Sequence, residues 1–213
     1  MPCLRLPVLI LLALLPADAA GQAGAQDPVQ EPAEEEEVAD TRPEVKELLE
    51  TFAGHTKRRG REDDQAVKLI ARMRIEFAAS GPRDRKDIAK ALYWAMKVKR
   101  KTSREGVRQQ ELYFTAADAL GQMAPESVRD LIRLVGDRNH RDDYEVQVRV
   151  LRALGRTQDE RAVGPLLDVL GEFQARLQAG AAGALGNFTN LDQKERKEIF
   201  KDLLQMLCEA RSL

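Results

Sequence analysis

Few residues in this chain are equipped for chemistry. Its 213 positions include two histidines, His55 and His140, and two cysteines, Cys3 and Cys208. A structural zinc site takes four close ligands, and neither histidine lies in an HExxH or other metal-ligand spacing. Both fall in apparent turns and read as solvated loop histidines. GxSxG, a Walker loop and GxGxxG are all missing, and so is a His-Glu pair of the kind that binds iron in helical-repeat hydroxylases. The expectation is therefore a non-enzymatic protein with no metal and no cofactor.

A second possible source of chemistry is charge. The formal total is −1, but the segments differ: residues 1–54 carry −8, residues 55–110 carry +10 and residues 111–213 carry −3. Within the basic block 57–108 the densest run is Lys97, Lys99, Arg100, Lys101, Arg104 and Arg108, opposed by Glu105. Such a run attracts phosphates, acidic polysaccharide or anionic head groups, with an affinity that falls as salt rises. Lys97, Lys99, Arg100, Lys101 and Arg104 are the candidate anion-binding residues, for an anionic polymer or a membrane surface. Tyr93, Trp94 and Tyr113 nearby could imitate the aromatic, basic face of a base-flipping glycosylase. The leader described next argues against nucleic acid, and Trp94, at the edge of an apolar stripe, reads as core.

Residues 1–20 have the pattern of a secretory signal: Arg5, an uncharged apolar run over 6–15, then Pro16-Ala17-Asp18-Ala19-Ala20. Ten apolar residues are too few for a bilayer core of about 30 Å, which takes roughly 20. Cleavage leaves a secreted or periplasmic chain without a transmembrane helix; the alternative is a membrane anchor formed by an uncleaved signal. Cys3 leaves with the signal, so Cys208 has no intramolecular partner and reads as an inert, buried thiol. Residues 21–41, with Glu34 to Glu37 consecutive, are too polar to bury a core and read as a disordered acidic linker. The folded domain is then 42–213.

Beyond the linker the apolar spacing becomes regular. Val45, Leu48, Leu49 and Phe52 stand at i, i+3, i+4 and i+7, one face of a helix. The same template starts again at Ile88, Val128, Val163 and Phe200, at intervals of 43, 40, 35 and 37 residues. That period belongs to a helical hairpin repeated along the chain. Between these helices a second type repeats: Leu112, Ala116, Ala119 before Leu120-Gly121; Val146, Val150, Ala153 before Leu154-Gly155; Leu177, Ala181, Ala184 before Leu185-Gly186. Small residues allow close helix packing, and each glycine is expected to end its helix in a left-handed conformation. Pro43, Pro125 and Pro165 are placed in first turns. About nine helices result, in an all-α solenoid of stacked hairpins.

The run from Asp142 to Gly155, followed by Ala162-Val163-Gly164-Pro165-Leu166-Leu167, resembles the HEAT-like repeats of the phycobilisome-lyase type. The resemblance spans roughly residues 64–207. It implies that Asp143 and Arg149 bond within or between repeats, although Thr115 and Gly180 stand where Arg149 stands in the neighbouring units. The lyase activity in the family's label would need a pigment-bearing partner and has no residue signature here.

A stack of such hairpins presents a concave surface lined by the second helices. Its candidate partner-binding residues are Arg108, Glu111, Gln147, Arg149, Arg152, Arg176 and Gln178. They suit recognition of a protein partner, exported or associated with the envelope, through many modest contacts. Asn187-Phe188-Thr189 matches a glycosylation sequon, but after Leu185-Gly186 the asparagine reads as part of a helix end.

Overall fold

The computed structural model describes residues 41–58, 61–100, 106–172 and 174–210, with side chains except at 106–109, 206, 207, 209 and 210. The leader at 1–20 and the linker, all but Thr41, lie outside the described residues. So do Lys101, Arg104 and the side chain of Arg108.

Among the described residues there are nine α-helices and no strand. They are α1 Pro43–Lys57, α2 Asp63–Ala78, α3 Pro82–Lys97, α4 Gly106–Leu120, α5 Val128–Leu134, α6 Tyr144–Thr157, α7 Val163–Leu170, α8 Ala175–Gly186 and α9 Gln193–Ala210. A 3-10 turn, Glu160–Ala162, leads into α7. Pro43 and Pro82 open α1 and α3, where a missing N–H costs nothing. Pro165 falls in the first turn of α7. Pro125 does not open a helix: it follows a cis peptide bond in the turn before α5. Arg42 fastens the start of α1. Its Nη2 donates to Glu76 Oε2 at 2.8 Å and Ser80 Oγ at 2.7 Å, while its backbone N–H donates to Asp84 Oδ2 at 2.9 Å.

Among the described residues the main helix contacts are between near neighbours in the chain. Each even helix packs on the next even one, α2 on α4, α4 on α6 and α6 on α8, and on an adjacent odd helix of its hairpin. The odd helices α1, α3, α5, α7 and α9 form the other layer. No hairpin covers its apolar face alone, so burial comes from stacking, as a HEAT-like solenoid requires. The template residues supply that core. Val45, Leu48, Phe52, Ile88, Leu92, Ala95, Val128, Leu131, Leu166 and Leu170 are buried, and Leu49, Ala91, Ile132 and Leu167 are half-buried against them.

The last helix departs from the template. α9 buries Ile199 and half-buries Leu203, whereas Phe200 is 62% and Leu204 46% exposed. It packs on α7, with no following unit among the described residues to cover its other side. Cys208 is exposed on the same helix, which corrects the reading of a buried thiol.

The Leu-Gly pairs also act differently from the expectation. None of Gly121, Gly155 or Gly186 is left-handed; that conformation belongs to Gln158, at φ 55°, and Gly136, at φ 69°. Gly155 lies inside α6. A Cβ on Gly121 would lie 2.9 Å from Ala153 Cα, and one on Gly155 2.8 Å from Ala184 Cα. The glycines are there because the next even helix touches their backbone. At Gly186, on the last even helix, a Cβ would meet nothing within 4 Å.

Candidate binding surface

The basic run after α3 is not a uniform positive surface. Arg100 is only 6% exposed. Its Nε donates to Asp63 Oδ2 at 2.6 Å, and its Nη1 donates to the carbonyls of Ala95 and Val98 at 2.9 and 3.0 Å. The guanidinium carbon lies 4.9 Å from the centre of the Tyr113 ring. Tyr113 donates its hydroxyl to Val98 O at 2.7 Å and accepts the Arg100 N–H at 3.3 Å. Arg100 therefore joins the start of α2, the end of α3 and α4, and it is a structural residue.

Lys97 is likewise occupied, bonded through Nζ to the Asp137 carboxylate. Burial pushes the Asp137 carboxyl upward, but the Lys97 hydrogen bond, the Asn139 N–H and the Lys97 charge outweigh it and hold the group below its ordinary value. The bond to Asp137 raises Lys97 in turn, against a smaller opposing effect of burial. Of the five candidate anion ligands, Lys99 is the one described as exposed.

The histidines are not solvated. His140 is 3% exposed; its Nε2 donates to Met96 O at 2.7 Å and its ring stands edge-on to Tyr113 at 4.6 Å. His55 closes the last turn of α1, half-buried, with Nδ1 2.6 Å from Glu62 Oε2. That hydrogen bond, opposed by burial and aided by Arg58, holds Glu62 below the usual carboxylate range. Trp94, read as core, is 55% exposed and packs edge-on against Tyr93. Among the described residues no group of three or more His, Cys, Asp or Glu side chains could hold a metal ion.

The residues expected to line the second helices divide into three groups. Gln147 is buried, accepting the Gly136 N–H at 3.2 Å, and Gln178 is half-buried, donating to Leu170 O at 3.0 Å; both hold turns in place. Arg149 is half-buried, 5.2 Å from the centre of the Phe114 ring, with Nη1 3.5 Å from Asp118 Oδ2. Asp143 caps α6 through the Val146 N–H at 3.3 Å and accepts Gln110 Nε2 at 3.0 Å. Arg149 and Asp143 thus both bond back to α4, between repeats. Glu111, Arg152 and Arg176 are exposed.

Arg152 and Arg176 share one site, an open groove of about 290 Å³ between α6 and α8. Val148 and Arg156 complete the α6 side; Ala179, Gly180 and Gly183 line the α8 side, with Asn187 at its end. Arg156 was not singled out in the sequence, although its place four residues after Arg152 puts both on one helical face. Its Nη1 is 2.8 Å from Asp118 Oδ1. Asn187 stands at the C-terminal cap of α8, where its carbonyl accepts Gln158 Nε2 at 2.9 Å.

Two layers of helices in chain order, joined by small-residue contacts, are the architecture of HEAT-like repeats. Residues 146–172, covering most of α6, the 3-10 turn and α7, match the family model of the PBS lyase HEAT-like repeat. No curated protein and no solved structure matches the chain.

Proposed function

We propose that this chain is a non-enzymatic scaffold or adaptor that binds another protein on the exposed face of its even helices. The observation that carries the reading is the division of labour within that layer. Gln147, Gln178 and Arg149 are spent on holding the stack together, whereas Glu111, Arg152 and Arg176 are exposed on three successive helices. A repeat stack offers such residues on a rigid frame, which keeps low the ordering cost of an extended contact. HEAT-like repeats suit this role, and their defining residues are packing residues.

The leader pattern at 1–20 supports an exported chain, secreted or periplasmic, whose partner is itself exported or envelope-associated; an uncleaved leader would instead tether it to a membrane. Among the described residues no helix is long and apolar enough to cross a membrane. The basic block 57–108 is a weaker candidate, because Arg100 and Lys97 are occupied by Asp63 and Asp137.

The test is a comparison of layers. Proteins captured from the producing cells by the full chain are identified, purified and bound again. Ile75→Arg and Glu111→Arg, at exposed positions of α2 and α4, should abolish that binding, whereas Lys90→Glu and Arg129→Glu, at exposed positions of α3 and α5, should leave it intact. Loss in the second pair alone, or turnover of a small-molecule substrate by the chain, would refute the reading.

A further inference from the structure

We infer that the groove between α6 and α8 is the seat for an acidic, carboxylate-rich segment of the partner; this rests on the scaffold reading above and names the chemistry of its main contact. Three guanidinium groups line the groove, Arg152 and Arg156 from one wall and Arg176 from the other. Arg156 is engaged by Asp118. Arg152 and Arg176 form no ion pair among the described residues. Two positive charges therefore face the same concavity without a counter-charge.

The opposite wall adds a second observation. Glycine weakens a helix interior relative to alanine, so a helical glycine normally has a packing reason. Gly180 has one, since a Cβ there would stand 3.3 Å from Val148 Cγ2. Gly183 is exposed and a Cβ there would meet nothing within 4 Å, as at Gly54 in α1 and Gly164 in α7, so what it contributes here is open space. The small side lies open beside the arginines, where the backbone of an incoming chain can approach α8 closely.

The ligand class follows from geometry and chemistry together. A guanidinium presents a planar fork of donors that matches a carboxylate. Arg152 from α6 and Arg176 from α8 face the same groove, so a segment lying in it can offer each of them a carboxylate, while Arg156 stays with Asp118.

The experiment measures fluorescence anisotropy of a labelled oligoglutamate peptide, and of its glutamine counterpart, with the full chain at low and physiological salt. The glutamate peptide should bind and the glutamine peptide should not. Arg152→Gln combined with Arg176→Gln should weaken binding by about tenfold or more. Gly183→Glu, which places a carboxylate in open space, should do the same with an unchanged helical circular dichroism spectrum, and Arg129→Gln on α5 should have no effect. Equal binding of both peptides, or undiminished binding by the double variant, would overturn the assignment. So would arginine-dependent binding of pyrophosphate or phosphatidylserine vesicles without binding of the peptide. If the groove variants behave as wild type while Ile75→Arg and Glu111→Arg still lose the partner, the groove assignment falls and the scaffold reading stands.

Discussion

Replacing Gly155 by alanine, beside the same replacement at Gly183, separates two roles of glycine in this fold. Both positions are helical, so each gains roughly 0.5–1 kcal/mol from removing glycine's backbone freedom. At Gly183 nothing opposes the gain, because the new methyl group meets no atom within 4 Å. At Gly155 the methyl carbon would stand 2.7 Å from Ala184 O, 2.8 Å from its Cα and 3.0 Å from its Cβ. Carbon atoms in good contact lie about 3.5–4.0 Å apart. Two of the three opposing atoms are backbone, so α6 and α8 must separate by something under 1 Å or so along the whole junction. Overpacking costs about 1–3 kcal/mol, and opposing backbone, which cannot turn aside, puts this case in the upper part, about 2–3 kcal/mol. The net expectation is a loss of about 1–2.5 kcal/mol at Gly155 and a gain of about 0.5–1 kcal/mol at Gly183. At roughly 2–4 °C per kcal/mol for a domain of this size, Gly155→Ala should lower Tm by about 2–10 °C and Gly183→Ala should raise it by about 1–4 °C. Thermal melts followed by far-ultraviolet circular dichroism, with urea melts to check that the slope is unchanged, read both. A Gly155→Ala protein as stable as wild type would refute backbone contact as the reason for that glycine.

The other expectations test separate features. Ala153→Leu, at a fully buried position against Gly121, should overpack the α4–α6 junction and cost roughly 1–3 kcal/mol in chemical denaturation. Asp63→Asn leaves the buried Arg100 charge without its counter-ion and should lower stability by about 3–5 kcal/mol, whereas an exposed pair such as Arg133 and Asp130 should contribute under about 1 kcal/mol. Because Asp137 is held below its ordinary value of 3.8, the stability it contributes is present above that value and is lost as pH falls through its lower folded value. Asp137→Asn should therefore lower Tm at neutral pH and flatten the decline of Tm on the acid side. Finally, Cys208 is exposed, so a thiol reagent should modify the native protein at a rate close to that of the unfolded chain; slow reaction until unfolding would contradict its placement.

The architecture was legible because it rests on local periodicity. The template beginning at Val45, Ile88, Val128 and Val163 places its residues in the core, since a helix packed on both sides must repeat its apolar face every turn or so. The same template misleads at Phe200, where one side of the helix is left uncovered. What sequence spacing hides is pairing across distance. Arg100 looks like one more member of a basic run, and only the fold brings Asp63 against it, 37 residues away. Gln147 and His140 look polar and solvent-bound, yet each completes a backbone bond in a neighbouring turn. The exposure of Arg152 and Arg176 follows from helical spacing, while the open space beside Gly183 shows only in the fold.

The contacts of Gly121 with Ala153 and of Gly155 with Ala184 set how closely the even helices approach at two successive seams. In a stack of repeats a small change between neighbouring units accumulates along the chain. The spacing of these seams is encoded in single methyl groups, so evolution or design could tune it by exchanging glycine and alanine at these two positions.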